Sequence, residues 1–165
     1  MTEISPKDIQ KNAISLISDD WALLSAGNKN GWNTMTVSWG GLGELWGKDV
    51  AFVFVRPQRY TKEFIDSSDF FTLSFFDESY KDALRICGRK SGRDIDKAEE
   101  TGLTPVFENG TTYLQQANLV LICKKIAAQP MNPDCIFDKK IVEDNYKNAD
   151  FHTTYVGEII KVLKK

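Results

Sequence analysis

The chain has 165 residues, 42% of them hydrophobic and 27% charged, which is typical of one globular domain of ordinary size. A net charge of −2 gives no basic surface of the kind that binds nucleic acid, and no apolar run reaches the roughly 18 residues that a membrane-spanning helix needs. Three widely spaced cysteines and one histidine argue against a disulfide framework and a metal site. We therefore expect one domain over residues 1–165, an organic cofactor for any demanding chemistry and, without a signal-peptide pattern, a cytoplasmic location.

The hydrophobic pattern predicts strands connected by short helices. In chain order they are a helix over residues 7–18, strands over 21–26 and 32–39 joined by a turn at 27–31, a strand over 50–55, a helix over 61–67, a strand over 70–76, helices over 79–87 and 94–100, a strand over 119–128, a helix over 139–145 and a strand over 153–163. Six or seven strands with short connections favour an antiparallel barrel over a parallel sheet. No Gly-x-Gly-x-x-Gly motif follows a strand, so a Rossmann unit has no support.

Local signals refine these elements. Gly40 and Gly41 break the pattern after the second strand, and the continuous apolar run VAFVFV at residues 50–55 predicts a strand covered on both faces. Thr61 is a predicted N-cap of the helix that follows, and Gly102 should end the helix over residues 94–100.

The first candidate for chemistry is the segment NTMTVSWGG at residues 33–41. Its apolar and hydroxyl side chains alternate, so one face of the strand is apolar and the other polar. Trp39 can lie against a flat ring, and Asn33 or Thr36 can hydrogen-bond the polar edge of such a ligand. The same pattern also fits an ordinary half-exposed strand whose hydroxyls face water.

Two basic segments offer phosphate binding. In RPQRYT at residues 56–61, Arg59 and Thr61 lie at a strand-to-helix junction, where a guanidinium, a hydroxyl and free amides can converge on a dianion. CGRKSGRDIDK at residues 87–97 carries four cations and can close over a phosphate or a nicotinamide nucleotide. A solvated loop with a helix cap and a solvated charged face are the plainer interpretations of these two segments.

His152 is the fourth candidate. It precedes the last predicted strand, and a pairing with a cysteine as nucleophile and base would need a spatial contact that the sequence does not reveal. A lone histidine is more often structural or surface-exposed.

Together these segments resemble the flavin reductase-like, FMN-binding split-barrel family, and within it the flavoredoxin type. The matching text is N-x-M-T-V-S-W-G-G at residues 33–41, V-R-P-x-R-Y-T at 55–61, C-G-x-x-S-G-R-D-x-D-K at 87–97, G-L-T-P at 102–105 and H-x-x-Y-x-G-E-I at 152–159. The five pieces span most of the chain in the family's order. The resemblance implies a mainly β fold with short helices, an antiparallel Greek-key split β-barrel.

The resemblance also implies a bound FMN. Asn33 and Trp39 match the family's flavin-contacting asparagine and ring-covering aromatic, Arg59 with Thr61 would hold the phosphate, and His152 is the catalytic candidate near the flavin or the nicotinamide. The cofactor-binding set is Asn33, Met35, Thr36, Val37, Ser38, Trp39, Arg59, Thr61, Ser91 and Lys97.

The family implies that NADH or NADPH delivers a hydride to FMN, that an unidentified acceptor takes the electrons, and that the protein is a homodimer. Many flavin reductases carry Ser-Ser-Phe and then Pro-Pro after the first motif, whereas this chain has Trp39-Gly40-Gly41 and no Pro-Pro. That departure favours a protein that keeps its FMN bound over one that reduces free flavin. Two alternatives stay open: a non-enzymatic electron carrier reduced by a partner protein, and a split barrel that takes haem or a pyridoxal-type phosphate, although one histidine argues against haem.

Overall fold

The computed structural model describes residues 1–108 and 110–165, which form ten β-strands with short helices between them. The strands are β1 (Thr2–Ile4), β2 (Ala22–Asn28), β3 (Gly31–Val37), β4 (Gly40–Leu45), β5 (Lys48–Val55), β6 (Phe70–Phe75), β7 (Pro105–Glu108), β8 (Thr111–Leu114), β9 (Leu119–Pro130) and β10 (Thr153–Lys164). The α-helices are α1 (Ala13–Ser15), α2 (Thr61–Ser67), α3 (Lys81–Arg89), α4 (Lys97–Thr101) and α5 (Lys139–Asn145). A π-helical turn covers Leu16–Asp20, and 3-10 turns cover Pro6–Asp8, Glu78–Tyr80 and Pro133–Cys135.

Eight of the strands form one antiparallel sheet in the order β3-β2-β6-β9-β10-β5-β4, with β1 paired to β10. The two strands at the ends of this order, β3 and β4, are consecutive in the chain and only Ser38 and Trp39 separate them. The two edges of the sheet therefore come together at this link, although no ladder joins β3 to β4 within the described residues. A sheet that curves round to its own first edge without closing is a split β-barrel, so the predicted Greek-key split-barrel fold is confirmed.

Both faces of the sheet are covered. Successive residues of a strand point to opposite faces, and in β2 both Leu23 and Leu24 are fully buried. Leu24 packs with Met35, Val53 and the other apolar side chains inside the barrel. Leu23 packs outside it, in a second cluster with Leu84 of α3. Helix α3 is thus fixed against β3, beside the link that joins the two sheet edges.

The predicted N-terminal helix over residues 7–18 is wrong in its first half. An α-helix begins only at Ala13, because the Asn12 side chain accepts hydrogen bonds from the amides of Ile14 (2.9 Å) and Ser15 (3.3 Å) and caps it there. The segment before it holds a 3-10 turn, and Leu16 and Ile17 bring the following π-helical turn into the core.

Glycine caused a further error. The second predicted strand ends at Val37 instead of residue 39, and Gly40 begins a further strand, β4. The position requires glycine because a Cβ there would overlap the carbonyl oxygen of Phe52 in the paired strand β5. Pattern alone reads a glycine pair as a break, whereas here it permits a close strand approach. The β7–β8 hairpin was also missed.

Strand β5 and the helix after it differ from expectation in detail. The prediction that β5 is covered on both faces is wrong in part, because Phe52 and Phe54 are only partly buried. Thr61 is the first residue of α2 and not its N-cap, which is Tyr60; the Thr61 hydroxyl accepts a hydrogen bond from Asn33 instead. The bounds of α2 and α5 are confirmed.

Helices α3 and α4 were predicted with early starts. The α-helical part of the first begins at Lys81, and the second begins at Lys97 because the Asp96 carboxylate accepts the amide hydrogens of Ala98 (2.8 Å) and Glu99 (3.1 Å). Gly102 ends α4 in the left-handed conformation, as predicted.

In the described ranges 1–108 and 110–165, no helix combines the length and apolar character that crossing a membrane requires.

Candidate functional site

A cleft of about 340 Å³ opens where β3 passes into β4. We call it the aromatic cleft, and its lining comprises residues 35–39, Phe54, Arg56, Gln58, Arg59 and His152. The end of β3 and its link to β4 form one side, β5 and the loop after it form another, and the residue before β10 completes it. The split in the barrel therefore creates this cleft.

Aromatic rings give the cleft its character. Trp39 is 49% exposed, and its ring centroid lies 5.3 Å from that of His152 at an interplanar angle of 51°. Phe54 meets His152 edge-on, with centroids 6.5 Å apart. A half-exposed tryptophan beside two further rings offers a large apolar face to a flat ligand.

His152 is buried and held by a neighbouring tyrosine. The Tyr146 hydroxyl lies 2.8 Å from His152 Nδ1, while Nε2 has no hydrogen-bond partner within residues 1–108 and 110–165. Burial, reinforced by the positive charge of Arg56, lowers the pKa of His152 to about 4. The imidazole is therefore neutral near pH 7, and Nε2 is the nitrogen available to a bound molecule.

The connection from β9 to β10 braces this side of the cleft. Arg56 Nη1 pairs with Asp150 at 2.6 Å, its Nη2 donates to the Asn145 carbonyl at 2.9 Å, and its guanidinium lies 5.1 Å from the centre of the Tyr146 ring. Gln58 also donates to the Asp150 carboxylate, at 2.7 Å. These hydrogen bonds lower the pKa of Asp150, with the one from Gln58 contributing most. The charge of Arg56 is thus compensated within the protein.

A smaller pocket of about 110 Å³ adjoins the aromatic cleft, and both are lined by Met35, Gln58 and Arg59. We call it the cationic pocket, and its lining comprises Asn33, Met35, Gln58, residues 59–61, residues 89–92 and Lys97. Four cations lie in this lining, from the loop before α2, the end of α3 and the start of α4: Arg59, Arg89, Lys90 and Lys97.

Lys97 is buried and Arg59 is half-buried, and neither has an anionic partner among the described residues. Within the described residues Arg59 makes no side-chain hydrogen bond or ion pair, and burial together with Arg56 lowers its pKa. Lys97 Nζ donates to the carbonyls of Thr34 and Cys87, each at 2.7 Å, and burial lowers its pKa to about 8. Buried cations that lack a counter-charge are costly, so an anion in this pocket would stabilise both.

The polar side of the cationic pocket is held by close contacts between three segments of the chain. Asn33 Nδ2 donates to Thr61 Oγ1 at 2.9 Å, and both residues are buried. A Cβ at Gly92 would overlap Asn33 Oδ1, so only glycine fits against this amide. The Ser91 hydroxyl accepts the amide hydrogen of Arg93 at 3.1 Å, which shapes the turn at the mouth of the pocket.

The structure divides the predicted site residues between the two cavities. Thr36, Val37, Ser38, Trp39 and His152 line the aromatic cleft, Asn33, Thr61, Ser91 and Lys97 line the cationic pocket, and Met35 and Arg59 line both. Asn33 thus lines the cationic pocket and not the aromatic cleft.

The hydroxyl face of β3 is also used differently from expectation. The Thr36 hydroxyl donates to the carbonyl of Leu84 in α3, and the Ser25 hydroxyl donates to Thr34 Oγ1 at 2.9 Å. The proton of the Thr36 hydroxyl is therefore used within the protein, and the role of Thr36 toward a ligand stays a prediction. The sequence does not predict three further residues of this site, because each belongs to a segment without a recognisable motif: Phe54, Tyr146 and Asp150.

No described cysteine lines the aromatic cleft, so the pairing of His152 with a thiol does not arise there. Cys87 and Cys123 are buried, Cys135 is exposed, and burial raises the pKa of Cys87 to about 11. Across residues 1–108 and 110–165, no group of three or more His, Cys, Asp and Glu side chains is placed to hold a metal ion.

The fold and the two adjoining cavities define an antiparallel split barrel with an aromatic cleft beside an anion pocket. Residues 15–164 match the family model of the flavin reductase like domain, so the chain belongs to the flavin reductase-like family. A comparison with curated proteins found no match.

Solved structures agree in fold. The flavoredoxin of Methanosarcina acetivorans is 21% identical, with 88% of this chain and 68% of that chain covered and a TM-score of 0.69. The flavoredoxin of Desulfovibrio vulgaris (Miyazaki F) is 21% identical, with 98% and 77% covered and a TM-score of 0.70. An FMN-binding protein from Thermus thermophilus is 16% identical, with 100% and 82% covered and a TM-score of 0.71.

Proposed function

We propose that this chain binds FMN, with the isoalloxazine ring in the aromatic cleft and the phosphate in the cationic pocket. The observation that carries the proposal is the continuity of the two cavities through Met35, Gln58 and Arg59. A cleft with exposed aromatic rings that adjoins a small cation-lined pocket matches a ligand with a flat ring at one end and a dianion at the other. The family and the FMN-binding protein among the similar structures support it.

The donor set of the cationic pocket fits a phosphate monoester. The buried Lys97 and the half-buried Arg59 lack a protein anion, and Arg89 adds further positive charge, whereas the Lys90 ammonium pairs with Glu100. Guanidinium and ammonium donors around a small volume hold phosphate through charge-assisted hydrogen bonds. The Thr61 and Ser91 hydroxyls supply neutral contacts, and Asn33 positions Thr61.

The residues of the aromatic cleft would hold and shield the ring. Trp39 covers it, Met35 and Val37 give apolar contact, and the backbone of Thr36 and Ser38 meets its polar edge, since the Thr36 hydroxyl is used by α3. His152 is the proposed catalytic residue because its neutral Nε2 lies free at the cleft.

When bound, FMN supplies two-electron chemistry by accepting and releasing a hydride equivalent at its ring. We propose NADH or NADPH as the donor and an unidentified acceptor, so that the chain is an oxidoreductase. The flavin reductase-like family to which the chain belongs supports this proposal. The homodimer, the cytoplasmic location and the single-domain organisation stay predictions.

A stopped-flow experiment tests the oxidoreductase proposal. The FMN-loaded protein is mixed with NADH or NADPH without oxygen, and flavin absorbance is followed. A bleaching rate that saturates with increasing NADH or NADPH concentration supports the reductase activity. If neither nucleotide bleaches the flavin while a chemical reductant does, the protein is an electron carrier that a partner protein reduces.

A further inference from the structure

We propose that Tyr146 positions the ring of His152 and fixes its tautomer, so that Nε2 carries the proton and offers the aromatic cleft a hydrogen-bond donor. A neutral imidazole has one ring proton, and the hydrogen bond at one nitrogen decides whether the other nitrogen donates or accepts. The tautomer is a property of the chain alone, and only its contact with a flavin rests on the proposed function.

The Tyr146 hydroxyl has two acceptors within reach and one proton to give. His152 Nδ1 lies 2.8 Å from the hydroxyl oxygen, and the Met131 sulfur lies 3.5 Å from it. Burial raises the pKa of Tyr146, so its hydroxyl stays protonated near neutral pH. An imidazole nitrogen is a much stronger acceptor than a thioether. The hydroxyl therefore donates to Nδ1, and the imidazole proton lies on Nε2.

The charge of Arg56 favours the same direction of donation. Its guanidinium lies 5.1 Å from the centre of the Tyr146 ring, and on the Tyr146 hydroxyl its positive charge outweighs the negative charge of Asp150. A cation over an aromatic ring attracts its π electrons. The phenol oxygen thereby loses electron density, which makes the hydroxyl a better donor and a poorer acceptor. The opposite arrangement, in which Tyr146 accepts from Nδ1–H and donates to Met131, is therefore disfavoured.

The packing around the two rings keeps the imidazole in one orientation. The Tyr146 ring stacks on Phe151, with centroids 4.5 Å apart and an interplanar angle of 25°. The His152 ring lies against Trp39 and Phe54. Turning the imidazole over would place a carbon atom at the Tyr146 hydroxyl and leave that buried group without its nitrogen partner. Nε2 is therefore the nitrogen that a molecule in the cleft can reach.

A donor at this position selects an acceptor atom in the bound molecule. The flavin ring has carbonyl oxygens and unprotonated nitrogens along its edge, and either can accept a hydrogen bond from Nε2–H. Such a donor binds an atom more strongly when that atom gains negative charge, as it does when the ring takes up electrons. His152 therefore acts as a hydrogen-bond donor and not as a base that removes a proton from the ligand.

NMR spectroscopy of the imidazole nitrogens tests the tautomer directly. Because His152 is the only histidine of the chain, one pair of imidazole nitrogen signals reports it. A long-range proton–nitrogen correlation spectrum of the isotope-labelled, tag-free chain distinguishes a protonated nitrogen from a bare one by chemical shift. We expect the protonated shift at Nε2 and the bare shift at Nδ1. The reverse assignment, or an average of the two tautomers in the wild type, would overturn the proposal.

A pair of variants tests the role of Tyr146. Tyr146→Phe keeps the ring and removes the hydroxyl, so its two nitrogen shifts should move toward each other as both tautomers become populated. Tyr80→Phe is the matched control, because Tyr80 packs on Phe76 outside the cleft, and it should keep the wild-type shifts. Wild-type shifts in Tyr146→Phe, or equal changes in the control, would show that Tyr146 does not select the tautomer.

Addition of FMN to the labelled chain separates the tautomer from the flavin contact. The Nε2 shift should change when FMN binds, because the bound ring accepts the hydrogen of Nε2–H. A constant Nε2 shift despite FMN binding would overturn the donor role of His152. Absence of FMN binding would overturn the proposed function, whereas the tautomer measured in the free chain would stand.

Discussion

The aromatic cleft and the cationic pocket adjoin each other but are built in opposite ways. The pocket holds the buried ammonium of Lys97, whose position is set by the backbone carbonyls of Thr34 and Cys87. The cleft presents Trp39 partly to solvent and depends on the Tyr146 side chain for the orientation of His152. A preorganised, uncompensated charge suits tight anion binding, whereas an open aromatic face suits ring contact and access by a second molecule. Variants in the two regions should therefore fail in different ways.

The largest effect should come from Arg59→Gln. Loss of the half-buried guanidinium should weaken FMN binding by roughly ten- to a hundredfold, the range expected for a charge-assisted hydrogen bond. Riboflavin has the same ring without the phosphate, so its affinity should hardly change. Fluorescence titration of both flavins measures this difference.

Arg85→Gln is the matched control, because Arg85 is exposed on α3 and pairs with Asp82 at 2.5 Å. It should leave both affinities unchanged. If Arg59→Gln weakened riboflavin as much as FMN, the cationic pocket would not be the phosphate site.

Trp39→Ala should show the reverse pattern with a smaller loss. Removing the ring face should weaken FMN and riboflavin alike, by about tenfold, because stacking does not involve the phosphate. Trp46→Ala is the control, since Trp46 is 67% exposed at the β4–β5 turn and lies outside the cleft. Unchanged riboflavin affinity in Trp39→Ala would show that the flavin ring does not bind in the aromatic cleft.

Lys97 predicts a pH dependence of the free energy of unfolding. Its pKa is about 8 in the folded chain and 10.5 as the ordinary value, so between these values the unfolded chain binds more protons and stability rises with pH. Urea unfolding from pH 8 to pH 10 should show this rise in the wild type relative to Lys97→Met. Bound FMN should flatten it, because a phosphate keeps Lys97 protonated. Parallel pH profiles of the unfolding free energy for the two proteins would contradict the lowered pKa of the buried Lys97.

The smallest effect concerns His152. Because its pKa is lowered to about 4, the imidazole stays neutral from pH 6 to pH 8 and the rate of FMN reduction should vary little there, by less than about twofold. Stopped-flow rates across this range check it. A titration near pH 6.5 that disappears in His152→Gln would show that the imidazole is not buried as described.

How much the sequence predicts depends on the range of the interaction. Arg59, Thr61 and Lys97 were placed at an anion site from their residue types and local motifs, and they do line one pocket. The partners of His152 and Arg56 were not predicted, since Arg56 and Asp150 are 94 residues apart in the chain. The signal that was available is the cluster of Tyr146, Asp150 and His152, but no pattern shows which strand they approach.

Errors in the elements have the same origin. Gly40 fits a break as well as a strand until its neighbour Phe52 is known, and Thr61 fits an N-cap until Asn33 is found beside it. The Thr36 hydroxyl fits a ligand site until its hydrogen bond to α3 is seen. In each case a tertiary contact decided between structures that the local sequence pattern left open.

The most direct test of the account is a titration of the purified chain with FMN, followed by the visible spectrum and flavin fluorescence, with riboflavin in parallel. We predict one FMN per chain, a perturbed flavin spectrum and clearly weaker binding of riboflavin. A chain that leaves the FMN spectrum and fluorescence unchanged, or that binds riboflavin as tightly as FMN, would contradict the assignment of the aromatic cleft and the cationic pocket to the two ends of one flavin mononucleotide.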